Sequence, residues 1–353
     1  MKKVLLIIAC LLLCSCYDYR ELRDIAIITG IGVDYKDDEY TVTLEILTPT
    51  PKEAGETEKT RLVSNSGETF IDAFKGTYTE LGKEPNFSQL QMMFISESTA
   101  ENIGLQELFD DLFRSSRVNN NFYLAIANDC DSYEILDNKQ KNDTASNYVL
   151  NLLKSNNESS FIMSNNQFDF LIAKVESKGK DIYLPSISLD DDHFKVNDIA
   201  LFSDYKMVSY IDKDYSTILS LLTNKIENTI YYSDGINSID IKSNEFKFDL
   251  SDDKINITLS LDATIKSLDS KYSLRDESTF KELESIFKEK IKEEADDLIN
   301  KLKECQSDPL SIGNRYYKKE PKKYFDEYFK DTPVEIEVDL NINKFGILFE
   351  VIK

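Results

Sequence analysis

Cys14 and Cys16 stand one serine apart, directly after an apolar run and directly before the charged segment YDYRELRD. A cysteine in this position suits one reaction, the transfer of a diacylglyceryl group to its thiol, followed by cleavage of the chain immediately before it. The peptidase needs a small residue before the modified cysteine. Ser15 meets that need for Cys16, whereas Leu13 does not meet it for Cys14. The spacing therefore predicts a lipoprotein signal peptide over residues 1–15 and a lipid on Cys16.

The apolar run predicts export of the chain rather than a membrane span. It follows Lys2 and Lys3 and covers residues 4–13, well short of the about 20 residues that cross a hydrocarbon core of about 30 Å. An ordinary secretory signal with incidental cysteines is the alternative, but no Ala-x-Ala cleavage site follows Cys16. Two acyl chains anchor a protein firmly, because one chain alone gives only marginal binding. We therefore expect a body that is tethered outside the membrane by lipid alone.

His193 is the only histidine of the chain. A two-histidine zinc site is therefore excluded, and any Ser-His-Asp or Cys-His nucleophile would depend on this residue. His193 ends the segment DDDH, which favours a solvated turn over a catalytic base or a cation site, because an EF-hand loop alternates its ligands and needs a glycine. Carboxylates are too numerous for any pair to stand out as a glycosidase dyad. We expect no enzyme, no catalytic residue, no metal site and no cofactor apart from the covalent lipid on Cys16.

Two glycines lie inside the apolar segment TGIGV, at Gly30 and Gly32. The segment resembles the start of a dinucleotide-binding turn, but the third glycine of that motif is missing. Close packing against these glycines or a β-bulge is the favoured interpretation.

Cys130 and Cys305 are the cysteines that remain once the signal peptide is removed and Cys16 carries the lipid. They lie far apart in the sequence, and a disulfide between them would require the fold to bring them together. We favour two separate free thiols, each behaving as a small buried apolar residue.

The composition is that of a large acidic body. The 353 residues are 41% hydrophobic and 30% charged, enough for a substantial core and more than one domain. The formal net charge of −22 argues against nucleic-acid binding, which needs clustered Lys and Arg. Anionic lipid headgroups should repel the chain as a whole, so we expect membrane contact through the lipid anchor or a protein partner.

Apolar residues alternate between strand and helix periods, which predicts an α+β fold with mixed sheets and packed helices. The predicted strands are 25–33, 40–47, 90–96, 122–127, 183–189, two within 199–210, 246–250, 255–265 and 334–342. The predicted helices are 66–81, 105–113, 143–155, 165–177, 215–226, 276–304 and a short one after Pro309. Residues 48–60 are expected to form an exposed loop.

The elements predict three domains after the signal peptide. Residues 16–188 read as an N-terminal α+β domain, 189–240 as a small middle domain and 241–353 as a C-terminal α+β domain. The charge cluster at 189–194 places the first boundary. In the last domain, the helix 276–304 is amphipathic, and its apolar stripe is expected to be core rather than a surface for a partner helix. The final strand is expected to pair with the preceding hairpin and cover this helix.

Segments in both halves carry a family resemblance. They are CYDYRELRDIAIITGIGVDYKDDEYTVTLEIL, residues 89–127, IALFSDYKMVSYIDKDYSTILSLLTNKIEN and DPLSIGNRYYKKEPKKYFDEYF. Together and in this order they resemble the Ger(x)C family, the lipoprotein C subunits of spore germinant receptors. Tyr17, Tyr324 and Tyr328 depart from the family, which often has Trp at these places. The segment 212–217 replaces the family's acidic pair followed by Thr-Arg-Gly.

The resemblance implies a non-enzymatic three-domain lipoprotein on the outer face of the spore inner membrane. It implies partnership with a membrane A subunit and a transporter-like B subunit, which together couple nutrient sensing to the release of ions and dipicolinate. An extracytoplasmic solute-binding lipoprotein is the alternative, although it would need two similar lobes around a cleft. A surface hydrolase with a site around His193 or an acidic pair is a further alternative.

Overall fold

The computed structural model describes residues 24–48, 59–114, 118, 122–138, 143–157, 179–191, 193–223, 230–272 and 277–343. The signal peptide, Cys16 and the predicted helix 165–177 lie outside the described residues. Most of the predicted loop 48–60 lies outside them as well.

The first half of the described chain forms a sheet of nine strands in which β1, β5, β6 and β7 run parallel. The strand order is β3-β2-β1-β5-β6-β7-β8-β9, with β4 beside β1. Because parallel strands begin at the same edge of a sheet, the first residues of these four strands share one edge, named here the entry edge. The strands are β1 Ile25–Lys36, β2 Glu39–Thr48, β3 Lys59–Gly67, β4 Glu84–Asn86, β5 Met92–Ser96, β6 Tyr123–Ala127, β7 Tyr183–Asp190, β8 His193–Ser203 and β9 Lys206–Ile211.

Helices cover this sheet on both faces. On β5, Met93 and Ile95 face one apolar layer, whereas Met92 and Phe94 face the other, as the alternation of side chains along a strand requires. The first layer contains Phe74 of α1, and the second packs against α4 and α5. The helices are α1 Phe70–Leu81, α2 Glu97–Asn102, α3 Gln106–Arg114, α4 Ser132–Asp137 and α5 Ala145–Asn157.

The second half of the described chain builds a four-stranded sheet with one long helix packed on it. Phe287 and Leu298 of that helix are fully buried in a core shared with Ile257 and Val338 of the sheet. The elements are α6 Ser216–Thr223, β10 Ile230–Ser233, β11 Ser238–Leu250, β12 Ile255–Ser267, α7 Glu277–Glu304, α8 Ile312–Lys319, α9 Tyr328–Asp331 and β13 Val334–Asn343.

Two predictions for this half are confirmed. The spacing of apolar residues predicted α7 as a core helix, and β13 pairs in parallel with β12 while it packs on α7. The α+β class with mixed sheets and packed helices is confirmed by the two sheets together.

Strand β3 was missed by the sequence analysis. Its segment KTRLVSNSG buries Val63 but is otherwise mostly polar, so it lacks the apolar alternation that marks a strand. Pairing with β2 from Lys59 to Gly67 holds it at the edge of the sheet. The predicted helix start at 66 was early as well, because α1 begins at Phe70 after an N-cap at Thr69, whose Oγ1 accepts from Asp72 N at 3.2 Å.

The charge cluster at 189–194 forms a hairpin turn within one sheet. β7 ends at Asp190, which pairs with His193 at the start of antiparallel β8. Asp191 has a φ of +53°, a conformation that Asp tolerates in tight turns. The division into domains at 16–188, 189–240 and 241–353 stays a prediction.

Candidate functional site

Gly30 and Gly32 make room for two helices on the sheet. A Cβ atom on Gly30 would lie 2.0 Å from Ser146 Oγ of α5, and one on Gly32 would lie 2.6 Å from Ser132 Oγ of α4. The register between β1 and β2 also shifts between Ile28 and Gly30. Close packing together with a bulge, the interpretation favoured by the sequence, is confirmed.

Asp34 of β1 caps α4 from within the sheet. Its Oδ1 accepts from Ser132 N at 2.8 Å, and its Oδ2 accepts from Ser132 Oγ at 2.8 Å and from Tyr133 N at 3.3 Å. Burial raises the pKa of Asp34, although these hydrogen bonds oppose the rise. The carboxylate therefore satisfies amide groups that begin α4.

Glu45 of β2 does the same for α5. Its Oε1 accepts from Ala145 N at 2.7 Å, and its Oε2 accepts from Ser146 N at 3.3 Å and from Thr29 Oγ1 at 2.9 Å. The side chain is fully buried, and burial raises its pKa against the hydrogen bonds. The first hairpin thus carries two acids that act as helix caps, and the sequence analysis singled out neither of them.

Asp308 organises the junction between the end of α7 and the start of α8. Its Oδ1 accepts from Ile312 N at 3.0 Å, and its Oδ2 accepts from Gly313 N at 2.7 Å. The residue is only 5% exposed, and burial raises the pKa of its carboxyl to about 7 against these hydrogen bonds. The side chain therefore fixes the first turn of α8.

Asp181 ties this junction to the entry edge, just before β7. Its Oδ2 accepts from Asp308 N at 2.8 Å, and its Oδ1 accepts from Asp204 N at 2.8 Å, in the turn between β8 and β9. Burial raises the pKa of Asp181 to about 6. Ser307 adds a further link, because its Oγ donates to the carbonyl of Phe202 at 2.6 Å.

Two glycines let the backbones meet at this junction. Asn314 N donates to the carbonyl of Gly179 at 2.6 Å, and a Cβ atom on Gly179 would lie 2.5 Å from the carbonyl carbon of Gly313. Gly179 also has a φ of +64°, which favours glycine. The segment that begins at Asp308 therefore locks the C-terminal half onto the first sheet. The sequence marked this segment only through its family pattern.

The other candidate residues lie apart from one another. His193 is exposed at the start of β8, in the solvated turn that the sequence predicted. Cys130 and Cys305 are free, partly buried and packed against different cores, which confirms two separate thiols. Burial raises the pKa of the Cys130 thiol to about 12, so this cysteine is a poor nucleophile near neutral pH.

Within the ranges that the structure describes, no group of three His, Cys, Asp or Glu side chains is arranged to hold a metal ion. The same ranges contain no helix that is both long and apolar enough to cross a membrane.

Comparison with protein families identifies both halves of the chain. Residues 18–189 match the family model described as spore germination protein N-terminal domain, and residues 197–346 match the one described as spore germination B3/GerAC like, C-terminal. The chain belongs to the Ger(x)C family. The two Ger(x)C models meet at the hairpin of β7 and β8, so the junction of Asp181 with Asp308 joins a residue of the first model to one of the second.

Curated Ger(x)C relatives and a solved structure agree with this assignment. Spore germination protein GerQC of Bacillus cereus is 25% identical over 84% of this chain and 85% of its own. Spore germination protein KC of Bacillus subtilis is 22% identical over 99% of this chain and 97% of its own. The crystal structure of the GerBC protein aligns with a TM-score of 0.57 and 16% identity over 89% of this chain and 96% of that one, which shows a shared fold. Membership in the Ger(x)C family supports a role as a germinant receptor C subunit.

Proposed function

We propose that this chain is the lipid-anchored, non-enzymatic C subunit of a germinant receptor, and that it assembles with membrane A and B subunits. The observation that carries the proposal is the family match, which begins at residue 18, two residues after Cys16, and extends through both sheets to residue 346. A diacylglyceryl group on Cys16 holds the body on the outer face of the spore inner membrane.

The anchor has a simple physical purpose in this proposal. A tethered body meets partners in the same membrane at a high effective concentration, so a modest interface is enough for assembly. The junction at Asp181 and Asp308 joins the two sheets through short hydrogen bonds. The body then presents its surfaces to its partners in a defined arrangement, which lowers the entropic cost of binding.

A non-enzymatic role fits the use made of the buried carboxylates. The carboxylate oxygens of Asp34, Glu45 and Asp308 accept hydrogen bonds from the amide groups that begin α4, α5 and α8. These hydrogen bonds stabilise the fold. His193 is exposed and lies outside this set of contacts.

Spores that lack this chain test the proposal directly. Their germination is scored with nutrient and, separately, with an agent that bypasses the receptors. Loss of the nutrient response with a normal bypass response is expected. Normal responses to every nutrient, in a strain without other receptors, would contradict a receptor role.

The variant Cys16→Ala tests the anchor. We expect it to leave the body folded but to reduce the amount of this chain recovered with the A and B subunits. Cys305→Ala is the matched control, because it removes a thiol that lies in the C-terminal core. Full assembly by a soluble Cys16→Ala chain would show that the lipid is dispensable.

A further inference from the structure

Residues 315–325, RYYKKEPKKYF, form a basic aromatic segment in an otherwise acidic chain. Its first nine residues hold five Lys or Arg and one Glu, whereas the whole chain has a net charge of −22. Charges interact over a Debye length of about 8 Å at physiological ionic strength. A partner at the surface therefore senses the charges of this segment and its neighbours more strongly than the acidic groups elsewhere on the chain.

The segment presents its lysines and an aromatic ring to solvent. Lys318, Lys319, Lys322 and Lys323 are exposed, although Lys319 Nζ also donates to the carbonyl of Leu250 at 2.6 Å. The side chain of Phe325 is 41% exposed beside them. Beside them the rings of two tyrosines meet edge to face with centroids 5.3 Å apart; these are Tyr317 and Tyr324. Lysines beside one exposed and two half-buried aromatic rings suit the boundary between lipid headgroups and acyl chains.

Contacts with the turn between β11 and β12 hold the basic aromatic segment in place. The rings of Tyr316 and Tyr328 stack with centroids 3.8 Å apart. Tyr316 Oη donates to Asp252 Oδ1 at 2.7 Å, and Tyr328 Oη donates to the carbonyl of Ser251 at 2.7 Å. Lys323 forms an ion pair with Asp252 at 3.0 Å, so the charge of this lysine is partly balanced within the protein. The surface is thus formed before any partner binds, which reduces the entropic cost of binding.

Acidic groups lie within the segment and directly after it. Glu320 lies within it, and Asp326 and Glu327 follow it directly. The favourable contact with an anionic surface is therefore confined to the lysines near the end of α8 and to Phe325.

The fold places the start of α8 near the entry edge, where the described part of the chain begins. Asp181 precedes β7 at the entry edge, where Ile25 begins β1, and it binds Asp308 just ahead of α8. Three strand spacings separate β1 from β7, about 15 Å, and α8 is about 12 Å long. The nine residues from Cys16 to Ile25 reach at most about 32 Å. The basic aromatic segment and the anchor can therefore meet the same membrane.

We propose that the basic aromatic segment binds anionic lipid headgroups beside the lipid anchor, as a second contact with the membrane. The inference rests on the proposed anchor at Cys16. An acidic protein surface would attract the lysines equally well, but the exposed ring of Phe325 and the nearness of the tether favour lipid.

A single tryptophan reports this contact, because the chain contains none. The variant Phe325→Trp is prepared with its lipid and reconstituted in vesicles that contain brominated phosphatidylcholine, with or without phosphatidylglycerol. We expect bromine to quench the fluorescence strongly in the anionic vesicles. We also expect quenching to fall when the ionic strength is raised from about 0.15 M to about 1 M, where the Debye length shrinks to about 3 Å.

The matched position control is Ile236→Trp. Ile236 is 64% exposed in the turn between β10 and β11. The length of β11 separates this end of the sheet by about 40 Å from Leu250, whose carbonyl accepts a hydrogen bond from Lys319 of the basic aromatic segment. Its fluorescence should not be quenched. Equal quenching at Phe325→Trp and Ile236→Trp would overturn the proposed orientation.

The lysines are tested in the Phe325→Trp background with Lys318→Glu and Lys322→Glu together. Each lysine near an anionic surface changes binding about fivefold, so this pair of reversals should abolish the lipid-dependent quenching. Lys266→Glu with Lys271→Glu makes the same charge change at exposed positions near the end of the sheet that carries Ile236, and should leave quenching intact. Quenching that depends neither on the lipid charge nor on the lysines would overturn the inference.

The outcomes separate this inference from the proposed function. Failure of the chain to float with neutral vesicles would count against the anchor, whereas lysine-dependent quenching in anionic vesicles would still support the lipid contact. Firm flotation without quenching at Phe325→Trp would overturn the lipid contact and leave the anchor standing. If the lysine reversals then impaired germination, the segment would be assigned to an acidic protein partner instead.

Discussion

Asp181 and Asp308 bind each other in both directions. The backbone N of Asp181 donates to the carbonyl oxygen of Asp308 at 3.0 Å, and the backbone N of Asp308 donates to Asp181 Oδ2 at 2.8 Å. The two residues are 127 positions apart in the sequence. This pair therefore connects the entry edge of the first sheet to the start of α8.

The close approach of Gly179 to Gly313 predicts a large penalty for Gly179→Ala. Gly82→Ala is the matched control, because Gly82 has a φ of +63°, against +64° at Gly179, and nothing lies within 4 Å of its added Cβ. Gly82→Ala should cost about 1 kcal/mol of unfolding free energy through backbone strain. Gly179→Ala should cost about 1–3 kcal/mol more through overpacking. Equal losses in urea unfolding would contradict the predicted contact.

The raised pKa values predict that the junction weakens as pH rises. The carboxyls of Asp181 and Asp308, with pKa values of about 6 and about 7, hold protons more tightly in the folded state than at the unfolded value of 3.8. Their contribution to stability is therefore fully present below about pH 4 and is lost as pH rises through 6 to 7.

The variant Asp308→Asn isolates the contribution of Asp308 to this pH dependence, because an asparagine side chain cannot ionise. The unfolding free energy of the wild type, measured relative to that of the variant, should fall as pH rises from about 4 to about 7. Asp253→Asn, at an exposed position in the turn between β11 and β12, serves as control and should parallel the wild type. A constant difference between wild type and Asp308→Asn over this range would refute the prediction.

The capping of α5 by Glu45 predicts that substitution of this residue destabilises the start of α5. Glu45→Ala removes the acceptor for Ala145 N and Ser146 N and should cost about 3 kcal/mol, because buried amides lose their partners. Amide hydrogen exchange should rise first at residues 145 and 146. Glu39→Ala, at the exposed start of the same strand, should change neither quantity. Unaltered protection of the two amides would exclude the capping role.

The packing of α5 on Gly30 predicts coupling between two substitutions. Gly30→Ala should destabilise the fold by about 1–3 kcal/mol, because the new methyl group meets Ser146 Oγ at 2.0 Å. Adding Ser146→Ala removes that oxygen and should restore part of the loss. A double-mutant cycle measures the coupling, and purely additive losses would show that the two positions do not touch.

The thiol of Cys130 should react slowly with iodoacetamide in the folded protein. Its pKa of about 12 leaves almost no thiolate near pH 8. The variant Cys305→Ala isolates Cys130, and the same chain in denaturant provides the reference rate. Equal rates in the folded and unfolded chain would contradict the raised pKa.

The sequence by itself determined the elements with a strong local pattern. The first hairpin, the helix α7 and the parallel strand β13 carry apolar residues at regular spacing, and such spacing reflects which face is buried. The two glycines of TGIGV pointed to close packing for the same local reason. The family also followed from the sequence, since the order of short segments is itself sequence information.

Only the tertiary structure decided what the buried acids do. Asp34 and Glu45 find their partners about 100 positions later in the chain, and Asp181 binds Asp308 across the two halves. A carboxylate that caps a helix looks the same in the sequence as one on the surface. Strand β3 was missed because pairing with β2, rather than apolar alternation, holds it in the sheet. Interactions between residues far apart in the sequence leave no local pattern, so only the tertiary structure shows them.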